Sequence, residues 1–200
     1  MSEKDKRQKT DAGFKRLLCY AIRIAVILGI HLFLDVTCFL FAALPVRWLA
    51  VVSIAVILIE AVIFFFAAQS LGRNDHRKLV RFLSFGKGAS ATPDLSCRHF
   101  APYKGTLICG IPFVISGILI LVLGLIGGAA RSVLGLLWFP LVGFTAVLGL
   151  TADLLPAALF LIIPALHLIV YTAGYLFGGS LGARERAQYL EHRKKMEERR

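Results

Sequence analysis

Five residues able to exchange a proton stand inside long apolar runs: His31, Asp35, Glu60, His167 and Tyr171. His31 and Asp35 are one helical turn apart and share a helix face with Cys38 at i+7. Glu60 shares a face with Ser53 two turns earlier, and His167 with Pro164, Tyr171, Gly174 and Gly178. Imidazoles and carboxylates in apolar surroundings can relay protons, bind a cation or hold helices together. An ionised carboxylate at a bilayer centre costs about 2.5 to 3.5 kcal/mol on insertion scales, so such groups are expected to face a bundle interior and to find partners there.

The elements that carry these residues follow from composition. The 200-residue chain is 58% hydrophobic and 18% charged with a mean hydropathy of +0.74, which places it among polytopic membrane proteins rather than soluble globular ones. The formal charge of +11 would suit a nucleic-acid binder in a soluble chain. Here, however, the basic residues flank the apolar blocks, so no nucleic acid is expected and anionic lipid headgroups are the natural partner. The first apolar run carries Arg23, His31 and Asp35 after a polar leader, a poor fit to a cleaved secretory signal.

Crossing about 30 Å of hydrocarbon takes roughly 20 helical residues. Three segments qualify directly, at about 20–43, 48–71 and 106–128. From Ser132 to Ala183 the only charged residue is Asp153, which leaves room for one span or two. Of the 23 Lys and Arg, six lie in residues 1–16, seven in 72–104 and seven in 184–200. An even number of spans keeps all three groups on the cytoplasmic side. The expectation is therefore an all-α, polytopic helical bundle of four spans, the last at about 155–179. It forms a single membrane domain over 20–183, with a cytoplasmic tail over 1–19, a cytoplasmic loop over 72–105 and a basic cytoplasmic helix over 184–200. The expected location is the cell membrane, with both termini cytoplasmic.

The leftover apolar segment, 133–150, has Pro140 at its middle with Gly135, Gly143 and Gly149 around it. It is expected to be a non-spanning piece, re-entrant or interfacial, on the outer side. Trp48 and Trp138 are expected in the outer aromatic belt.

In the loop, the stretch from His76 to Phe85 mixes basic and apolar residues and reads as a short helix on the inner leaflet. The Gly-Lys pair at Gly86 lacks the flanking residues of a phosphate-binding loop. Cys97 and His99 have no second pair of ligands. The four cysteines, Cys19, Cys38, Cys97 and Cys109, show no paired spacing, so neither a disulfide framework nor a cysteine zinc site is expected. Gly174-x-x-x-Gly178, continuing to Gly182, forms a small-residue ridge suited to close helix packing.

Placed symmetrically in their spans, His31, Glu60 and His167 fall at similar depth, with Asp35 about one turn, roughly 6 Å, toward the outside. They and Tyr171 make a candidate intramembrane polar network. The first reading is that the network orients helices, in a small membrane accessory, assembly or regulatory subunit working as a homo-oligomer or beside a larger membrane protein. The alternative is a proton- or cation-coupled transporter subunit that uses the buried groups. A divalent metal is weakly signalled, because the ligands come from three helices, and no cofactor is expected. No enzyme is expected, since no nucleophile stands in a recognisable context and no His-Glu-x-x-His occurs. The halves of the chain show no repeat, so an inverted-repeat transporter is not indicated.

Overall fold

The computed structural model describes residues 3–85, 100–127, 129–149 and 156–198. Its elements are α1 (Glu3–Phe39), α2 (Val46–Phe85), α3 (Tyr103–Ile126), α4 (Ala129–Leu137), α5 (Phe139–Thr145) and α6 (Ile162–Glu198), with 3-10 turns at Ala146–Leu148 and Ala157–Leu161. The protein is all-helical, and four helices are long and apolar enough to cross a membrane: Leu18–Phe39, Val46–Lys78, Tyr103–Ile126 and Ala158–Glu198. Large apolar side chains such as Phe33, Leu58, Ile118 and Ile169 point outward along them, as lipid-facing surfaces do.

Local sequence sets the helix ends. Pro45 closes the turn after α1 and its carbonyl accepts from the amides of Trp48 and Leu49 as α2 begins. Gly127, at φ 68°, stops α3 in a backbone region that favours glycine. Pro102 and Pro156 precede α3 and the last 3-10 turn, where the missing amide costs no helical hydrogen bond.

Cross-helix pairs give the topology. Arg23, early in the apolar part of α1, meets Asp75, late in α2, and Arg73 and Arg77 meet Glu185, late in α6. At the opposite end, Phe39 packs edge-on against Phe139. The helices therefore run up and down, with α2 and α6 parallel and the start of α1 and the end of α6 at one end of the bundle.

The segment after α3 divides into α4 and α5, of nine and seven residues; each is at most about 14 Å long and cannot span. Trp138, at φ −124° and ψ 43°, leaves the helical region, and Pro140 follows at the start of α5. The break turns apolar residues into the bundle, where Leu134, Trp138 and Leu141 pack with Ile120, Phe160 and Ile163. Trp138 is thus a correction to the aromatic-belt expectation: it is 2% exposed, whereas Trp48 is 63% exposed. The helix break at Trp138, invisible to hydropathy, accompanies an indole packed inward.

Two further differences concern the end that carries the termini. α2 stays helical through residues 72–85, with no separate surface helix after His76, and Asp75 is fully buried. Cys19 is disulfide-bonded, contrary to the expectation from cysteine spacing, which reports separation along the chain and not in space; Cys38 and Cys109 are free and buried. Asp153, Cys97, His99 and the stretch from Gly86 to Pro93 lie outside the described residues.

Candidate functional site: a buried cluster of imidazoles and carboxylates

Close approach of α2 and α6 determines where the central groups stand. A Cβ at Gly174 or Gly178 would run into the carbonyl oxygen of Phe65 or Gln69, and one at Gly72 into that of Tyr175. Gly182 faces His76 further along. The small residues let the two backbones touch, and two turns further toward the opposite end His167 stands beside Glu60.

The structure brings His31, Asp35, Glu60 and His167 into one cluster. Glu60 lies between the two imidazoles, Oε1 at 2.7 Å from His31 Nδ1 and Oε2 at 3.2 Å from His167 Nε2. The other nitrogen of His31, Nε2, faces Asp35 Oδ2 at 3.4 Å. The rings of His31 and His167 meet edge to face with centroids 5.0 Å apart, and Phe64 packs edge-on to His167 at 4.7 Å. Glu60 and Asp35 are fully buried, and the His31 and His167 side chains are 12% and 6% exposed. Trp138 closes the side toward α4 and α5, its ring 6.1 Å from that of His31.

Next to the cluster a cavity of about 20 Å³ is lined by His31, His167, Cys109, Pro112, Ser116 and Pro164, among others, enough room for one water. Two lining residues are prolines on α3 and α6, which lack an amide to close the helix locally. Towards the opposite end Cys38 Sγ stands 3.8 Å from Ser53 Oγ. Gly143 of α5 packs on Ser53 so closely that a Cβ would collide with its hydroxyl.

Tyr171 is buried but does not join the cluster. It sits one turn toward the termini, in an apolar layer with Ile27, Phe64, Ile108 and Cys109.

Beyond that layer lies a second polar group that sequence reasoning missed. Asp75 is fully buried; Arg23 reaches both its oxygens, at 3.4 and 3.5 Å, and the Tyr175 hydroxyl donates to Oδ2 at 3.1 Å. Lys104, at the start of α3, is buried nearby at 5% exposure. Phe100 stacks on the Tyr175 ring at 5.3 Å and its amide donates to the Asp75 carbonyl at 3.1 Å. The available signal was Arg23, a cation inside the first span with no partner assigned. Asp75 escaped notice because it stands past the end expected for the second span.

The two polar groups use the same helix faces. Arg23, Ile27, His31 and Asp35 follow one another by four on α1, and Ser53, Glu60, Phe64, Ala68 and Asp75 mark the buried stripe of α2. By helical rise, Arg23 and His31 are about 12 Å apart along α1.

Comparison of the chain with models of known families, with curated proteins and with solved structures gives no match.

Proposed function

We propose that the protein carries protons or a cation through the membrane, alone or as a transporter subunit, using the His31, Asp35, Glu60 and His167 cluster. The observation that supports this over helix orientation alone is incomplete pairing. Asp35 Oδ1 is buried with no partner among the described residues, and Asp35 Oδ2 and Glu60 Oε2 meet imidazole nitrogens at 3.4 and 3.2 Å without good hydrogen-bond geometry. A network kept only to fasten helices gains when every buried polar atom is paired, and each unpaired one costs about 1 to 3 kcal/mol. Titratable groups held together with hydrogen-bonding capacity to spare suit a proton, water or ion that comes and goes.

The test is flux in reconstituted vesicles. Wild-type protein should collapse an imposed proton or cation gradient, and Glu60→Gln or Asp35→Asn protein that elutes as a single folded species should not. No flux above empty vesicles from wild type would end this reading.

The alternative, an accessory or assembly subunit in a homo-oligomer or beside a larger membrane protein, is supported by outward apolar faces on all four long helices. Isolation in mild detergent should then yield a near-stoichiometric partner. We further propose the cell membrane as the location, with the basic end of the bundle cytoplasmic and against anionic headgroups, on the strength of charge placement. A protease-cleavable C-terminal tag should resist digestion in intact cells and be lost after they are opened.

A further inference from the structure

We propose that His31, Glu60 and His167 form a binding site for one divalent transition-metal ion of the zinc, cobalt and iron class. This rests on the reading of the cluster as a cation site and names the cation. One ligand atom from each of the three residues lies within 4.8 Å of the others. A metal bonded to nitrogen and oxygen at about 2.0 to 2.2 Å in tetrahedral geometry needs ligand atoms about 3.3 to 3.5 Å apart. The observed separations of 2.7 Å and 3.2 Å to the two Glu60 oxygens both fall short of that distance, so an ion entering the site pushes the side chains apart by a few tenths of an ångström.

Three features distinguish the arrangement from an ordinary ion pair. Glu60 stands between imidazoles from two other helices, with His31 Nδ1 2.7 Å from Oε1 and His167 Nε2 3.2 Å from Oε2, so two nitrogens and a carboxylate meet in one buried place. His31 presents Nδ1 to the centre while Nε2 faces the buried Asp35 carboxylate at 3.4 Å, the outer-carboxylate arrangement that fixes the ring and raises the basicity of a metal-bound histidine. The cavity of about 20 Å³ touches both imidazoles, so a water can fill the fourth position that three protein ligands leave open.

Binding requires neutral imidazoles and an ionised carboxylate, so the ion takes the place of the proton shared by His31 Nδ1 and Glu60 Oε1, which leaves to solvent. Two imidazoles with one carboxylate select transition metals over magnesium and calcium, which prefer all-oxygen sites. Asp35 is a positioning residue in this scheme and does not touch the ion.

The test is a Co²⁺ titration of untagged, detergent-purified full-length protein, followed by visible absorption. Wild type should bind one ion per chain, with bands of a four- or five-coordinate nitrogen and oxygen site and no thiolate charge-transfer band. Zn²⁺ should displace the Co²⁺, and millimolar Mg²⁺ or Ca²⁺ should not. Glu60→Gln and His167→Gln should abolish binding, and Asp35→Asn should weaken it about 10- to 100-fold. The proposal is overturned if wild type shows no saturable Co²⁺ binding, whatever the variants do. A thiolate band, implicating Cys38 or Cys109, overturns it too, as does undiminished binding in folded Glu60→Gln. Flux separates the two levels: Glu60-dependent proton flux without Co²⁺ binding removes the metal and leaves transport standing, whereas specific binding without flux supports the metal site and removes transport.

Discussion

The bundle buries a carboxylate from α2 twice, and supplies it each time with partners from α1 and α6, but the two places are built from different chemistry. Asp75 has both oxygens engaged, by a guanidinium and a phenol hydroxyl. Arginine keeps its charge at any accessible pH, so the cation of this group does not exchange its proton. Glu60 and Asp35 have imidazoles as partners, and an imidazole changes charge near neutral pH. The contrast suggests a division of labour within one seam, in which the Asp75 group holds helices in place and the Glu60 group can exchange what it holds.

Substitutions can break that comparison. The largest effect is expected from Asp75→Asn, which leaves the Arg23 guanidinium largely buried without a counter-charge and should cost about 3 to 5 kcal/mol, read as a lower midpoint of thermal unfolding in detergent. Adding Arg23→Leu should recover much of the loss, because the two side chains are directly coupled. A double variant no better than the single would show that Asp75 is not there for Arg23.

Gly178→Leu comes next. Overpacking a tight contact costs about 1 to 3 kcal/mol, and here the added side chain meets the backbone of Gln69. It should also spread α2 from α6 and disturb the Glu60 to His167 contact, so the midpoint of unfolding and Co²⁺ binding should fall together. Stability lost with Co²⁺ binding intact would separate the glycine ridge from the site.

Glu60→Gln should cost less than Asp75→Asn, about 0.6 to 1.7 kcal/mol, the range of interhelical hydrogen bonds in membranes, since an amide can still hydrogen-bond both neighbouring imidazoles. If the order of the two carboxylate variants is reversed, the fixed and exchangeable roles are wrongly assigned.

The smallest effect belongs to the exposed end. Hydrogen bonds from Arg73 and then Arg77 hold the Glu185 carboxyl below the usual carboxylate range. With the folded pKa lowered, any stabilisation is present above the unfolded value and fades as pH falls through the folded one. Arg73→Ala with Arg77→Ala should remove that acid dependence and barely move the unfolding midpoint near neutral pH, because pairs in water contribute little.

Much of this architecture is legible in residues alone. Four apolar stretches of membrane length, Pro45 between the first two and Pro140 inside the short piece are local features, and local features set helix length and helix breaks. The i, i+4 spacing of His31 and Asp35 likewise fixes that they share a face. Asp75 was hidden for the converse reason. Nothing near it in the chain marks it as buried, and only the continuation of α2 against α6 takes it out of water. Trp138 shows the same limit, since hydropathy assigns it to the membrane region and a single backbone turn decides whether its indole meets lipid or His31.

By itself, then, the sequence determined an all-helical membrane bundle, the number of long helices and the faces on which the ionisable groups lie, because hydropathy and a period of 3.6 residues act over one or two turns. Tertiary structure alone decided that Glu60 bridges His31 and His167, that Tyr171 stands apart from them, and that Arg23 closes on Asp75. Those pairings depend on the register and distance between helices remote in the chain. Bare backbone contact at Gly72, Gly174 and Gly178 sets both quantities for α2 and α6.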